Sequence, residues 1–299
     1  MHYIGIDIGG TSIKAGRTDE SGVVAAARKT PTPATNLDAL IAAIAELVDK
    51  LRESLPISGL GVGIPGLRNA QTGVVQTSPH IPSIRDVNLE QRLAERIQMP
   101  VITENDANAG AYGEWVSGAG KGLQHMIYIT LGTGLGSGLI LDRKLFRGFS
   151  GYAGELGHTV VEPDGRPCAC GAVGCLETRV SAKGIVQTAK EANFGKGSFT
   201  AEDVYNAATQ GEKTAIQVFQ ETGRYLGIAC ANLINLLNPQ AIVIGGGVMA
   251  SGGLLLDAAR EEARRRALAP SLRNCEIVQS HLWPDAGIIG AAMLARDNS

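Results

Sequence analysis

The sequence places a histidine and three cysteines where they can close around one metal ion: His158, then Cys168-x-Cys170-x4-Cys175. Thiolate sulfur and imidazole nitrogen are donors that zinc prefers, and a Cys3His set completes a tetrahedron with no position left for a reactive water. The chemistry expected is structural: the ion lowers the thiol pKa values and pins an otherwise irregular loop. The competing reading is three loop cysteines beside a solvent-facing histidine. Five cysteines in a chain of 299 residues do not suggest a disulfide framework. Cys230, in an apolar helical stretch, reads as a small buried hydrophobe.

Three glycine turns could hold a nucleotide. Asp7-Ile8-Gly9-Gly10-Thr11 ends a strand in a turn whose backbone N–H groups can face an anion, with the Thr11 hydroxyl as a further donor. An aspartate at the strand end can hold Mg2+ directly or through water. Gly132-Thr133-Gly134 offers a second phosphate grip. Gly245-Gly246-Gly247, after a strand and before a helix, lets a flat adenine and its ribose lie close to the backbone. Two common fingerprints fail. Gly61-x-Gly63-x-x-Gly66 spells G-x-G-x-x-G, but its first two glycines lie inside a strand and Gly66 opens a loop, not a helix. Gly118-Ala119-Gly120-Lys121-Gly122 lacks the spacing and the Ser/Thr of a P-loop. Asp106 follows a short strand expected at 101–103, where a helix begins. A carboxylate there can accept the proton of an attacking hydroxyl in phosphoryl transfer, or it can cap the helix. Residue type and position allow both.

These groups need a scaffold. Strands are expected at 3–8, 13–17, 23–28, 60–64, 101–103, 126–131, 139–142, 241–244 and 276–279. Helices are expected at 36–51, 89–97, 105–115, 181–192, 200–209, 212–237, 254–268 and 285–296, with Thr35 or Asn36 capping the first. Residues 148–180, rich in Gly, Cys and Pro, read as irregular. The alternation makes an α/β protein. The segments from Ile4 and from Ile127 share a strand, glycine turn and strand, one in each half of the chain. Either one unit is duplicated, which would face the two turns across an interdomain cleft, or two unrelated turns look alike.

Composition fits this picture. Hydrophobic residues make up 44% and charged residues 19%, enough for two domains with sizeable cores, while 39 glycines point to ligand-cradling turns. A net charge of −2 excludes the basic stripe that nucleic acid needs. The N-terminus has no basic n-region and Asp7 interrupts any apolar core there. The longest apolar stretch, 226–237, is broken by Asn232 and Asn235. A soluble intracellular protein without nucleic-acid or membrane partners is expected.

Six motifs then make a pattern. Asp-Ile-Gly-Gly-Thr at 7–11, Glu-Asn-Asp-Ala-Asn at 104–108, Leu-Gly-Thr-Gly at 131–134, Gly-Glu-Leu-Gly-His at 154–158, Cys-x-Cys-Gly-x-x-Gly-Cys-x-Glu at 168–177 and Gly-Gly-Gly at 245–247 span nearly the whole chain. In this order they resemble the ROK family of bacterial sugar kinases and repressors, and within it the ATP-dependent glucokinases most. The resemblance implies an actin-like (ribonuclease H-like) ATPase fold, two lobes around an interdomain cleft. One lobe would hold 1–115, completed by the C-terminal helix 286–299, and the other 116–285. It implies transfer from ATP, with Mg2+, to a hexose, glucose to glucose 6-phosphate, with Asp106 as general base. Gly66, Asn105, Asp106, Glu155, His158 and Glu177 would contact the sugar, and the loop from Gly66 through Ile84 would close over it. Asp7, Gly9, Gly10, Thr11 and Lys14, with Gly132, Thr133, Gly134, Gly245, Gly246 and Gly247, would hold the nucleotide. His158, Cys168, Cys170 and Cys175 would hold the structural zinc. A cytoplasmic homo-oligomer, dimer or tetramer, is also implied. Many ROK glucokinases carry Asn-Leu-Pro where this chain has His80-Ile81-Pro82, which leaves the hexose open.

The rivals are distinct. An N-acetylglucosamine or N-acetylmannosamine kinase would share all six motifs. A sugar-sensing regulator would need a DNA-binding domain before Asp7, which is reached six residues after Met1. A dead actin-like module would be expected to lose Asp106 or the Gly-Gly-Thr turn. Polyphosphate as donor fits the intact Gly-Gly-Gly motif less well than ATP.

Overall fold

A computed structural model describes residues 1–53 and 55–298, so the last residue of the expected 286–299 segment lies outside the described residues. The chain divides into two compact units. Met1–Gln124, Gly138–Gly154 and His281–Ser299 form the first, and His125–Ser137 and Glu155–Ser280 the second.

The first unit holds strands β1 (His2–Ile8), β2 (Ser12–Asp19), β3 (Val24–Pro31), β4 (Ile57–Ile64), β5 (Leu67–Arg68), β6 (Val75–Thr77) and β7 (Val101–Asn105). Its main sheet runs β3-β2-β1-β4-β7. β1 pairs with β2 antiparallel, and β1, β4 and β7 run parallel. Helices α1 (Leu37–Arg52), α2 (Leu89–Ile97) and α3 (Asp106–Ser117) follow β3, β6 and β7. Asn36 is the N-cap of α1, its side chain accepting the Ala39 N–H at 3.0 Å, and Leu40, Ile41, Ile44, Leu47, Val48 and Leu51 line one buried stripe. That stripe packs with Ile4, Ile6, Ile8 and Ile13 in one core. Each such side chain contributes roughly 1.5–3 kcal/mol of burial free energy.

Alternation along β1 puts Tyr3, Gly5 and Asp7 on its other face. There the closing helix packs with Tyr3 through Ile289, Ala292 and Met293. A Cβ on Gly5 would overlap the Ile288 carbonyl, and one on Gly61 the Ala291 carbonyl. This accounts for the first glycine of the G-x-G-x-x-G run: Gly61 admits a helix backbone, not a dinucleotide.

Strands β8 (Met126–Leu131), β9 (Leu135–Leu141), β10 (Lys144–Phe146), β11 (Ala241–Gly245) and β12 (Glu276–Gln279) make a second sheet in the order β10-β9-β8-β11-β12. β8, β11 and β12 are parallel, and β9 and β10 antiparallel. Read by position this repeats the order of the first sheet, as duplication of one unit requires. The helices that follow are α4 (Glu177–Val180), α5 (Ala182–Glu191), α6 (Ala201–Thr209), α7 (Lys213–Leu237), α8 (Gly253–Arg266), α9 (Ala269–Leu272) and α10 (Ala286–Asp297), the last returning to the first unit.

Several local expectations change, and most of the other boundaries shift by no more than three residues at an end. β9 begins at Leu135, not at 139, because Gly138 is a strand residue whose missing Cβ leaves room for the Ala111 methyl and the Ala107 carbonyl of α3. β7 runs on to Asn105 and α3 to Ser117. The helix expected at 254–268 stops at Arg266, where Ala267 turns extended. The short strands β5, β6 and β10 lie in stretches that carry no alternation. Among the described residues no helix is long and apolar enough to cross a membrane.

Candidate active site

In the first unit, three parallel strands end at one sheet edge, where α/β folds bind ligands. The register aligns Asp7 with Gly63, Gly63 with Glu104 and Ile64 with Asn105. Asp7, Gly66, Asn105 and Asp106 are thereby delivered to a common edge. Asn105 is the N-cap of α3: its Oδ1 accepts the N–H groups of Ala107 and Asn108, both at 3.0 Å. This settles the capping question. The cap is Asn105, and Asp106 is the first helical residue, half-buried, its backbone alongside Gly63. Asn105 Nδ2 also donates to the Gly66 carbonyl at 3.3 Å, tying the loop to the helix start. Gly66 sits at φ +119 with no room for a Cβ beside Thr77 and Ser78.

Asp7 and Lys14 are cross-strand partners. Burial pushes the Asp7 carboxyl above its usual range, and Lys14 pulls it back. The turn between them is closed by Gly9 N–H on Ser12 O at 3.0 Å and by the Thr32 hydroxyl on Gly9 O at 2.6 Å. Thr11 is exposed at its tip. Gly287, in the first turn of α10, leaves the space that the Asp7 carboxylate occupies; a Cβ there would stand 3.0 Å from its Cγ. His80 packs on the same turn, and a Cβ on Gly10 would lie 2.9 Å from its own Cβ.

The second unit assembles its own group. β8 and β11 are neighbours, Gly245 opposite Thr130, so the turns after them lie side by side. Gly246 adopts φ +93 against the backbone of Leu131, where any side chain would collide. Glu177, the first residue of α4, accepts the Leu135 N–H at 2.8 Å, so one carboxylate oxygen braces the Gly132–Gly134 turn. Glu155 is exposed and stands 4.0 Å from His158 Nε2. Partial burial raises the Glu155 pKa, His158 lowers it, and the charge of Glu177 raises it.

His158, Cys168, Cys170 and Cys175 bring their ligand atoms within 4.8 Å of one another. Cys168 Sγ lies 3.7 Å from His158 Nδ1, and Cys170 Sγ 3.7 Å from Cys175 Sγ. A tetrahedron with vertices about 2.3 Å from its centre has edges of about 3.8 Å. Zinc fits this donor set. The nitrogen facing the sulfurs is Nδ1, which leaves Nε2 for another partner. Arg166 and Arg179 pin the loop from the side. Arg166 donates to Thr178 O at 2.6 Å and to Thr188 Oγ1 at 2.8 Å; Arg179 pairs with Glu162 at 2.6 Å.

The family model for the ROK family matches residues 3–298. The chain belongs to the ROK family. Among ROK proteins, a glucokinase of Streptomyces coelicolor is 39% identical over 98% of this chain and 97% of that protein. A xylose repressor of Bacillus subtilis is 31% identical over 99% of this chain and 77% of the repressor. The crystal structure of a ROK family glucokinase from Streptomyces griseus in complex with glucose and AMPPNP superposes with a TM-score of 0.88. It is 37% identical over 99% of this chain and all of that one. The actin-like ATPase fold implied by the motifs is the fold found.

Two residues near this edge went unread in the sequence, Gly287 beside Asp7 and Arg147 on Glu104, and Glu104 was read only as part of a motif, without a role. Gly287 carried a faint signal, a glycine in the first turn of an otherwise Ala/Ile-rich helix.

Proposed function

We propose that this ROK protein transfers the γ-phosphoryl group of ATP to the 6-hydroxyl of a hexose, glucose before others. The observation that carries the reading is Asp106. It stands at the start of α3, on the edge where Asp7 and the Gly9–Thr11 turn also end, in a chain 37% identical to a glucokinase crystallised with glucose and AMPPNP.

In this reading Asp106 accepts the proton of the attacking hydroxyl while that oxygen bonds to the γ-phosphorus and ADP departs. Gly9, Gly10, Thr11 and Lys14, with Gly132, Thr133 and Gly134, hold the phosphates through N–H, hydroxyl and ammonium donors. Gly245, Gly246 and Gly247 bear the adenosine. Asp7 is the carboxylate for a hydrated Mg2+, which when bound offsets phosphate charge. Gly66, Asn105, Glu155, His158 and Glu177 pair the sugar hydroxyls. His158, Cys168, Cys170 and Cys175 hold a zinc that fixes the imidazole, Nε2 outward. A cytoplasmic homo-oligomer of sugar metabolism completes the proposal.

Turnover measured by coupled ADP release with glucose, mannose, fructose, N-acetylglucosamine and N-acetylmannosamine tests it. Glucose is expected to give the highest kcat/KM. Preference for an N-acetylated sugar would move the protein to the hexosamine kinases, and sugar binding without turnover would favour a sensing role.

Gly287 supplies an independent check on Asp7. Gly287→Ala sets a methyl about 3 Å from the Asp7 carboxylate, closer than a relaxed contact. The KM for MgATP should rise roughly tenfold while the KM for sugar stays within twofold. Equal shifts in both would remove Asp7 from the nucleotide site.

A further inference from the structure

Glu104 opens the Glu-Asn-Asp-Ala-Asn run, and none of the roles proposed above uses it. Its side chain is 7% exposed, a costly place for a carboxylate without partners. Every oxygen is engaged. Oε1 accepts the Asn105 N–H at 3.0 Å and Asn108 Nδ2 at 3.1 Å. Oε2 receives Arg147 Nε at 2.6 Å, from the segment that follows β10.

Asn105 and Asn108 flank Asp106 on either side. One carboxylate therefore clamps the end of β7 to the first turn of α3, bracketing Asp106 and Ala107. Asn105 cannot rotate without also releasing the Ala107 and Asn108 N–H groups and the Gly66 carbonyl. The clamp is only as rigid as the orientation of Glu104. Its other oxygen is held by a charge-assisted bond, the short and strong kind. A displacement of about 1 Å in a reacting group can cost on the order of 10²-fold in rate.

We infer that Arg147 and Glu104 are a positioning pair for Asp106: Arg147 orients the Glu104 carboxylate, and that carboxylate fixes the turn from which Asp106 projects. This rests on Asp106 being the base. The alternative is an ordinary buried ion pair that holds a loop to the sheet and matters only for stability.

A double-mutant cycle in the full-length protein separates the two. Arg147→Met, Arg147→Lys and Glu104→Gln are each made alone and together with Asp106→Asn, and kcat, both KM values and Tm are measured with ATP and the best sugar. Arg147→Met should lower kcat about 30-fold with the KM for ATP within twofold, and Arg147→Lys should recover most of that loss. On the Asp106→Asn background, where there is no base left to misplace, Arg147→Met should cost less than threefold. An equal loss on both backgrounds, or wild-type kcat in Arg147→Met, overturns the inference while leaving the base assignment intact. Should Arg147→Met fail to fold, Glu104→Gln runs the same cycle, with the same two outcomes. If Asp106→Asn itself keeps wild-type kcat, the base assignment falls, and the positioning role with it.

Discussion

Asp106→Asn lowers kcat by about 10²–10⁴, the range a positioned base contributes, while sugar binding stays measurable. The substitution keeps the shape of the side chain but removes its charge and its ability to take a proton at neutral pH. The helix start should survive, because the cap is Asn105, whose Oδ1 bonds to the Ala107 and Asn108 N–H groups do not involve position 106. Asp106 itself accepts the Ala107 N–H through Oδ1 at 2.9 Å, and an asparagine oxygen can do the same. A loss in kcat with Tm and sugar affinity near wild type is therefore the signature of chemistry, not of a broken helix. Titration calorimetry with sugar and steady-state kinetics on one preparation read both quantities. Wild-type kcat in the variant removes the base.

Loss of the metal should be the second largest effect. Cys175→Ala takes out the buried ligand of the four, leaving Cys168 half-exposed and Cys170 exposed. Structural zinc is worth about 10–16 kcal/mol in isolated zinc-finger peptides, as much as the whole stability of many domains. Here the loop has other anchors. Arg166, within the loop, donates to Thr178 O of α4 and Gly184 O of α5, Arg179 of α4 pairs with Glu162, and Leu176 N–H donates to Thr159 O at 2.9 Å. The second sheet is thus expected to persist while 158–176 loosens. Zinc content should fall from one per chain to near zero, and kcat/KM for sugar by roughly 10–100-fold, the range that groups supporting a metal site typically govern. Emission spectrometry of the purified protein and limited proteolysis of the loop check this. A wild-type protein that binds no zinc, or a variant with full activity, contradicts it.

The legible part of the sequence was what chemistry demands locally. Asp7 with its glycine turn, the cysteine spacing and the Asn-Asp pair at a strand–helix junction each carry a signature within a dozen residues. What stayed hidden depends on partners far along the chain. Arg147 means nothing until the fold sets it on Glu104, and Gly287 nothing until α10 lies against β1. Glycine itself is ambiguous, because a residue without a Cβ serves a turn and a close helix approach equally well. Gly61 and Gly138 are of the second kind, which is why one run resembled a dinucleotide motif and another concealed the start of β9.

Phosphorus NMR of the protein with MgATP and glucose tests the central claim most directly. A sugar-phosphate resonance should grow mole for mole with ADP, in the wild type and not in Asp106→Asn. ADP accompanied only by inorganic phosphate, or a sugar phosphate formed equally well by both proteins, would contradict it.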